Sequence, residues 1–170
     1  MKSYALLTML LALCLSAPEC KKGGERPLTP EQAATMRRAI ITYLECEECE
    51  DGELEAVVKY GPAAVPTLAA TLHEGPSQAN LEQLRRHLTA RYRDLKAYEQ
   101  THPEVKVPGN EEQYVKTYMD NYVALNQARA ATALAAIGGS KARRALEKSS
   151  LTSLRDDVKA VVKSSLEKIK

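Results

Sequence analysis

Two cysteines three residues apart are the residues best suited to chemistry in this sequence. Cys46 and Cys49 lie in the stretch YLECEECEDGE (residues 43–53). Such a pair can act as a redox centre, ligate zinc or form a structural disulfide. A reactive thiolate is stabilised by cations or by a helix N-terminus, but this pair ends a predicted helix. It lies among seven acids and no base: Glu45, Glu47, Glu48, Glu50, Asp51, Glu53 and Glu55. We therefore expect a local disulfide or two buried thiols.

Metal and catalytic sites have little support elsewhere in the sequence. A zinc site needs about four ligands, and His73, His87 and His102 lie at no finger-like spacing from the cysteines. The acids of residues 45–55 do not alternate around a glycine turn as calcium ligands do. No nucleophile elbow or phosphate loop is present either. We predict no catalytic residue, no metal and no cofactor, and the competing enzyme hypothesis is a thiol–disulfide oxidoreductase that uses Cys46 and Cys49.

The N-terminal residues have the pattern of a secretory signal. MKSYALLTMLLALCLSAPEC begins with a base at Lys2 and continues with an apolar run over residues 4–15. That run is shorter than the ~20 residues that a membrane-spanning helix needs, so we expect a signal peptide over residues 1–19. The protein would then be exported, either into the periplasm or as a membrane-anchored lipoprotein.

Residues 20–28 form the predicted flexible leader. Cys20 and the following KKGGERP resemble the lipidated cysteine and tether of bacterial lipoproteins, which implies lipidation of Cys20. Glu19, however, stands where those proteins carry a small side chain. The alternative is cleavage after Ser16 or Ala17, which would leave Cys20 as an unmodified third thiol.

Helix-capping signals predict an all-α domain over residues 29–170. A chain of this length can bury a core without staples, and no segment alternates with period two as a half-buried strand does. Thr29 with Gln32 and Asn110 with Gln113 are capping boxes. Further starts and stops are Ser77, Ser153 with Asp156, Gly61-Pro62, Gly75-Pro76 and Gly138-Gly139. The net charge of +2 provides no strong field for nucleic acid.

Two segments of the chain repeat the same pattern at an offset of about 77 residues. GPAAVPTL (residues 61–68) follows an apolar helix, and ALAAIGGSKARRAL (residues 133–146) contains the same succession of apolar helix, glycine and second helix. These segments resemble the short HEAT-like repeat, and LRDDVKAVVKSSLEKI (residues 154–169) resembles the first helix of a further repeat. The resemblance implies an α-solenoid whose shared residues serve packing.

Extra material separates the two copies, because an uninterrupted HEAT period is only ~40 residues. We interpret it as a long helical hairpin inserted between Ser77 and Leu125, with THPEVKVPGN (residues 101–110) as its turn. One helix carries an apolar stripe, formed by Leu81, Leu84, Leu88, Tyr92 and Leu95. The other carries Tyr114, Tyr118 and Tyr122 on one side, with Met119, Val123, Ala130, Leu134 and Ile137 as the predicted core face.

The hairpin is also the predicted recognition surface. Arginine and tyrosine are enriched at interface hot spots, and the predicted contacts with a protein partner are Arg85, Arg86, Arg93, Tyr114 and Tyr118. The alternative is that the arginines are solvated and the tyrosines only hold the hairpin together. No aromatic residues interleave the bases as a nucleic-acid platform requires. The sequence thus favours an exported protein-binding module over an oxidoreductase or a structural envelope protein, and leaves the oligomeric state open.

Overall fold

The part of the chain described by the computed structural model is helical. It comprises residues 27–46, 49 and 51–169, so the predicted signal peptide and Cys20 lie outside it. Within these residues there is no strand, which confirms the all-α prediction for this part. The elements are α1 (Pro30–Glu45), α2 (Asp51–Val58), a 3₁₀ turn (Gly61–Ala63), α3 (Val65–Glu74), α4 (Gln78–Thr101), α5 (Glu111–Ile137), α6 (Gly139–Ser149) and α7 (Asp156–Lys168).

Two predicted capping boxes begin helices as expected. The Gln32 amide donates to Thr29 Oγ1 at 3.2 Å, and the Thr29 amide donates to Gln32 Oε1 at 2.9 Å. Asn110 and Gln113 exchange the equivalent bonds at the start of α5, at 2.9 and 3.3 Å. These bonds satisfy amides that have no partner within the helix. Ser77 caps α4 through a bond from the Asn80 amide.

The predicted start of the last helix at Ser153 is wrong. The structure places Arg155 at the N-cap and begins α7 at Asp156. Leu154 is buried in the main core, which holds its segment in the loop that precedes the helix. Asp157 then accepts a hydrogen bond from the Val158 amide at 2.9 Å, which satisfies one amide of the first turn.

Glycines end α3 and α5 where the sequence predicted it. Gly75 and Gly138 have φ values of 78° and 69°, a region that residues with a Cβ rarely adopt. Their amides donate to Thr71 O at 2.8 Å and to Leu134 O at 3.0 Å. These left-handed residues let the chain reverse direction after each helix.

Helix α5 lies at the centre of the described molecule. It contacts every other α-helix, while α3 also packs against α6, and α6 against α7. The main core includes Leu68, Leu72, Leu134 and Leu146, all with fully buried side chains. None of the described helices is both long and apolar enough to span a bilayer.

A second, smaller apolar cluster holds α4 against the first half of α5. Its buried members are Leu88, Val115 and Met119. Leu81, Leu84 and Tyr114 pack against it, so the predicted apolar stripe of α4 does face α5. The predicted core face of α5 is divided between the two clusters. Met119 belongs to the small cluster, whereas Leu134, which is nearer the end of the helix, belongs to the main core.

Candidate functional site

The predicted cysteine pair forms a disulfide between α1 and α2. The Cα atoms of Cys46 and Cys49 lie 5.4 Å apart, within the range of bridged pairs. No basic residue is close to the pair in the sequence. In the structure, however, Arg129 of α5 donates from Nη1 to the Leu44 carbonyl at 2.8 Å. This bond attaches the end of α1 to α5. Burial raises the pKa of Tyr43, and the Arg129 charge opposes that rise.

Helices α1, α4 and α5 enclose a groove of about 480 Å³, here called the Glu45 groove. Its lining residues are Ile41, Glu45, Asn80, Gln83, Leu84, His87 and Tyr122. The Glu45 carboxylate lies in it and accepts two hydrogen bonds on Oε1, one from Asn80 Nδ2 at 3.1 Å and one from the Tyr122 hydroxyl at 2.9 Å. A neutral donor from each of two other helices therefore fixes the position of a charged acceptor.

The titration of Tyr122 reflects this environment. Burial of the ring is the largest cause, and the hydrogen bond to Glu45 and the charge of that carboxylate add to it, so the pKa of Tyr122 rises from 10.0 to about 12. All three effects disfavour the phenolate. At neutral pH the Tyr122 hydroxyl consequently remains a hydrogen-bond donor to Glu45.

A second hollow of about 220 Å³ adjoins the Glu45 groove along α1. The two share Ile41, Glu45 and Asn80, and the hollow continues past Ile40 to Arg37. Arg37, Ile41 and Glu45 are spaced four residues apart, and therefore form one row on α1. We call the two hollows together the trough; in the α1 row that lines it, Arg37 and Glu45 place a cation and an anion on either side of Ile41.

The predicted tyrosine contacts form an aromatic row in the hairpin. The ring centroids of Tyr92 and Tyr114 are 5.3 Å apart, and those of Tyr114 and Tyr118 are 4.6 Å apart. The Tyr92 hydroxyl donates to the Gly109 carbonyl at 3.0 Å, which ties the row to the hairpin turn. Tyr114 packs on the hairpin cluster, whereas Tyr118 is 50% exposed. Of these side chains, Tyr118 presents the most aromatic surface to a partner.

The predicted arginine contacts lie apart from the Glu45 groove. Arg93 forms an ion pair with Glu111 at 3.2 Å. Arg85 lines another groove of about 560 Å³ together with Lys116 and Asp120, and this groove shares no described lining residue with the Glu45 groove. Arg85 and Arg86 are exposed and form no ion pair within the described part of the chain. The structure thus brings Tyr114 and Tyr118 together but does not join them to the arginines in one pocket.

A histidine links the second helices of the two repeated segments. His73 Nδ1 of α3 lies 3.3 Å from Ser149 Oγ of α6. Partial burial and then the nearby Lys148 charge lower the pKa of His73, against a smaller opposing effect of Glu74. His73 accordingly joins the helices in its neutral form near neutral pH.

Sequence reasoning missed the convergence of Glu45, Asn80 and Tyr122. Asn80 and Tyr122 are 35 and 77 positions from Glu45 along the chain, and no local pattern connects the three residues. The tyrosine spacing on α5 identified Tyr122, but its partner could not be read from that spacing.

Comparisons with known proteins identify no relative of this chain. No family model, no curated protein and no solved structure matches it. The resemblance to HEAT-like repeats therefore stays a prediction that rests on the residues themselves.

Proposed function

We propose that this chain is an exported protein-binding module built on HEAT-like repeats, and that the hairpin of α4 and the first half of α5 recognises its partner. The observation that carries the proposal is the exposure of half of the Tyr118 side chain on a hairpin with its own apolar cluster. A fixed aromatic side chain of this kind loses little conformational entropy on binding and is a favoured interface anchor.

Burial at matching positions supports the repeat interpretation. Val57 and Leu134 are paired at an offset of 77 residues, and both are fully buried. Leu68 and Leu146 are paired at an offset of 78, and both are again fully buried. Each segment turns at a glycine with positive φ, Gly61 and Gly138. The order of contacts also fits stacked helix pairs, because α2 and α7 each pack on α5 and α3 packs on α6.

The hairpin has the features expected of a recognition element. Its buried leucine, valine and methionine hold two long helices together, so that exposed groups keep fixed positions. Tyr118 supplies an aromatic anchor, and exposed Arg85 and Arg86 supply charge that can steer an acidic partner. Arg93 already has an ion pair with Glu111 and would have to exchange it to contact a partner.

Export is supported by the disulfide together with the N-terminal pattern. Disulfides persist in oxidising compartments outside the cytosol, and Cys46 and Cys49 form one. An intact-mass measurement on native protein tests this part of the proposal. We expect the mass of residues 1–19 to be missing and a lipid-sized addition on Cys20, or else an unmodified Cys20 after cleavage at Ser16 or Ala17. A mass that retains the N-terminal residues would refute export by signal cleavage.

Site-specific photo-crosslinking tests the recognition surface. We would replace Tyr118 with a photoreactive phenylalanine derivative in the native host, and place the same group at Leu151 as the control. Leu151 is 86% exposed and lies outside the hairpin, in the segment between α6 and α7. A discrete crosslinked protein is expected from position 118 and not from position 151. Equal crosslinking from both positions, or none from position 118, would refute the hairpin as the docking surface.

A further inference from the structure

We propose that the trough along α1 binds an extended peptide segment that carries a lysine and, four residues away, an acidic side chain. The lysine would contact Glu45 and the acid would contact Arg37. This inference rests on the proposed protein-binding function and specifies the chemistry of the partner. It depends on three features of the α1 row that lines the trough: an anionic end at Glu45, an apolar middle at Ile41 and a cationic end at Arg37.

The anionic end is a carboxylate with an unused oxygen. Asn80 and Tyr122 both donate to Glu45 Oε1, and no described residue donates to Oε2. No described lysine or arginine lines the Glu45 groove, and Glu45 forms no ion pair with any residue that the structure describes. An oxygen held in this way is arranged to accept a charge-assisted hydrogen bond from an ammonium group.

The middle of the trough is apolar and accessible. Ile41 is 49% exposed, which is high for a large aliphatic side chain beside a core helix. Ile40 lines the second hollow beside it, and Leu84 of α4 lines the Glu45 groove. A lysine suits this combination, because its methylene stem can cover apolar surface while its head reaches the carboxylate.

The cationic end sets the spacing of the second charge. Arg37 lines the far hollow and forms no ion pair with any residue that the structure describes. Eight residues at about 1.5 Å each separate it from Glu45 by about 12 Å along α1. Four residues of an extended peptide span about 13 Å and place the first and last side chains on the same side. The side chain midway between them also lies on that side and would meet Ile41, so we expect it to be apolar.

The trough continues into the hairpin surface. Tyr122 in the groove wall and exposed Tyr118 are four residues apart, and therefore lie one turn apart on one side of α5. A partner anchored at Tyr118 can thus extend a segment into the trough. This continuity favours a segment of the same partner over an unrelated small molecule.

A peptide titration tests the inference with the purified full-length chain. The probes are acetyl-Lys-Thr-Val-Thr-Glu-amide and its reversed sequence, since the direction of the bound segment is not fixed by the two charges. Binding is followed through the amide NMR signals of Ile41, Asn80 and Leu84. We expect one of the two peptides to shift these signals saturably. Replacing its lysine with norleucine should weaken binding about tenfold or more, the change expected for loss of a charge-assisted hydrogen bond.

The matched protein variants are Glu45→Gln and Glu112→Gln. Glu45→Gln keeps an oxygen that can accept from Asn80 and Tyr122 but removes the charge, so it should weaken binding about tenfold or more. Glu112 lines the other groove, and its variant should bind as the unaltered chain does. Arg37→Gln should weaken binding of the peptide but not of a version whose glutamate is replaced by glutamine.

Several outcomes would overturn the inference. Equal binding of the lysine and norleucine peptides would exclude a role for the charge. If the peptide binds only after Lys21→Gln and Lys22→Gln, the occupant of the trough is the chain's own leader. If the chain self-associates and Glu45→Gln abolishes the self-association, the occupant is a second copy of the chain. A negative titration leaves the crosslinking test at Tyr118 intact, so the failure of this inference and that of the proposed function can be told apart.

Discussion

Truncation of matched core leucines gives a quantitative test of the repeat interpretation. Leu68 and Leu146 are each fully buried in the main core, and a Leu→Ala change at such a site costs about 2–5 kcal/mol through lost transfer free energy and the remaining cavity. We expect about 3 kcal/mol for each of Leu68→Ala and Leu146→Ala, and a difference between them of less than about 1 kcal/mol, because the repeat interpretation assigns the two sites equivalent environments. Domains of this kind have about 5–15 kcal/mol of stability, so both variants should still fold.

The assay is unfolding by urea, monitored by far-ultraviolet circular dichroism. The dependence of the unfolding free energy on urea concentration should be the same for all variants. Leu88→Ala is the control within the hairpin. Leu88 is 5% exposed and shares its cluster with two other buried residues, Val115 and Met119. Its surroundings can relax toward solvent, so we expect a cost nearer 2 kcal/mol. If Leu68→Ala and Leu146→Ala differed by more than about 2 kcal/mol, the two segments would not have equivalent cores and the repeat interpretation would fail.

Three further predictions concern charge and titration. Arg86→Glu should change stability by no more than about 0.5 kcal/mol and should weaken partner binding. The control is Arg144→Glu, at an exposed position on α6, which should change neither stability nor binding. Unaltered binding by Arg86→Glu would count against the arginine contacts. The pKa of His73 is lowered in the fold, so its stabilising contribution is present above its unfolded pKa of about 6.5 and is lost as pH falls through the folded value. The urea midpoint should therefore decline as the pH is lowered from about 7.5 to about 5, and His73→Gln should make this decline smaller. Ultraviolet titration should find the Tyr122 phenol ionising at about 12, and Glu45→Gln should lower that pKa because it removes a neighbouring negative charge.

Local helix signals were predictable because they depend on neighbouring residues. Thr29 with Gln32 and Asn110 with Gln113 form both bonds of their capping boxes, and such bonds connect residues only three positions apart. The Ser153 start failed for the opposite reason. There, burial of Leu154 in the main core outweighed the local preference of a serine for a helix start.

For Cys46 and Cys49 the sequence left a local disulfide and two buried thiols as alternatives. It was enough to predict the all-helical character of the described chain, the ends of most helices and the apolar stripe of α4. Each follows from spacing within a few turns of chain. Contacts between distant helices required the structure itself: Arg129 reaches the end of α1, and Asn80 and Tyr122 meet at Glu45. Periodicity fixes which face of a helix a side chain occupies. It does not fix which distant helix packs on that face, because that depends on how the whole set of apolar surfaces is buried at once.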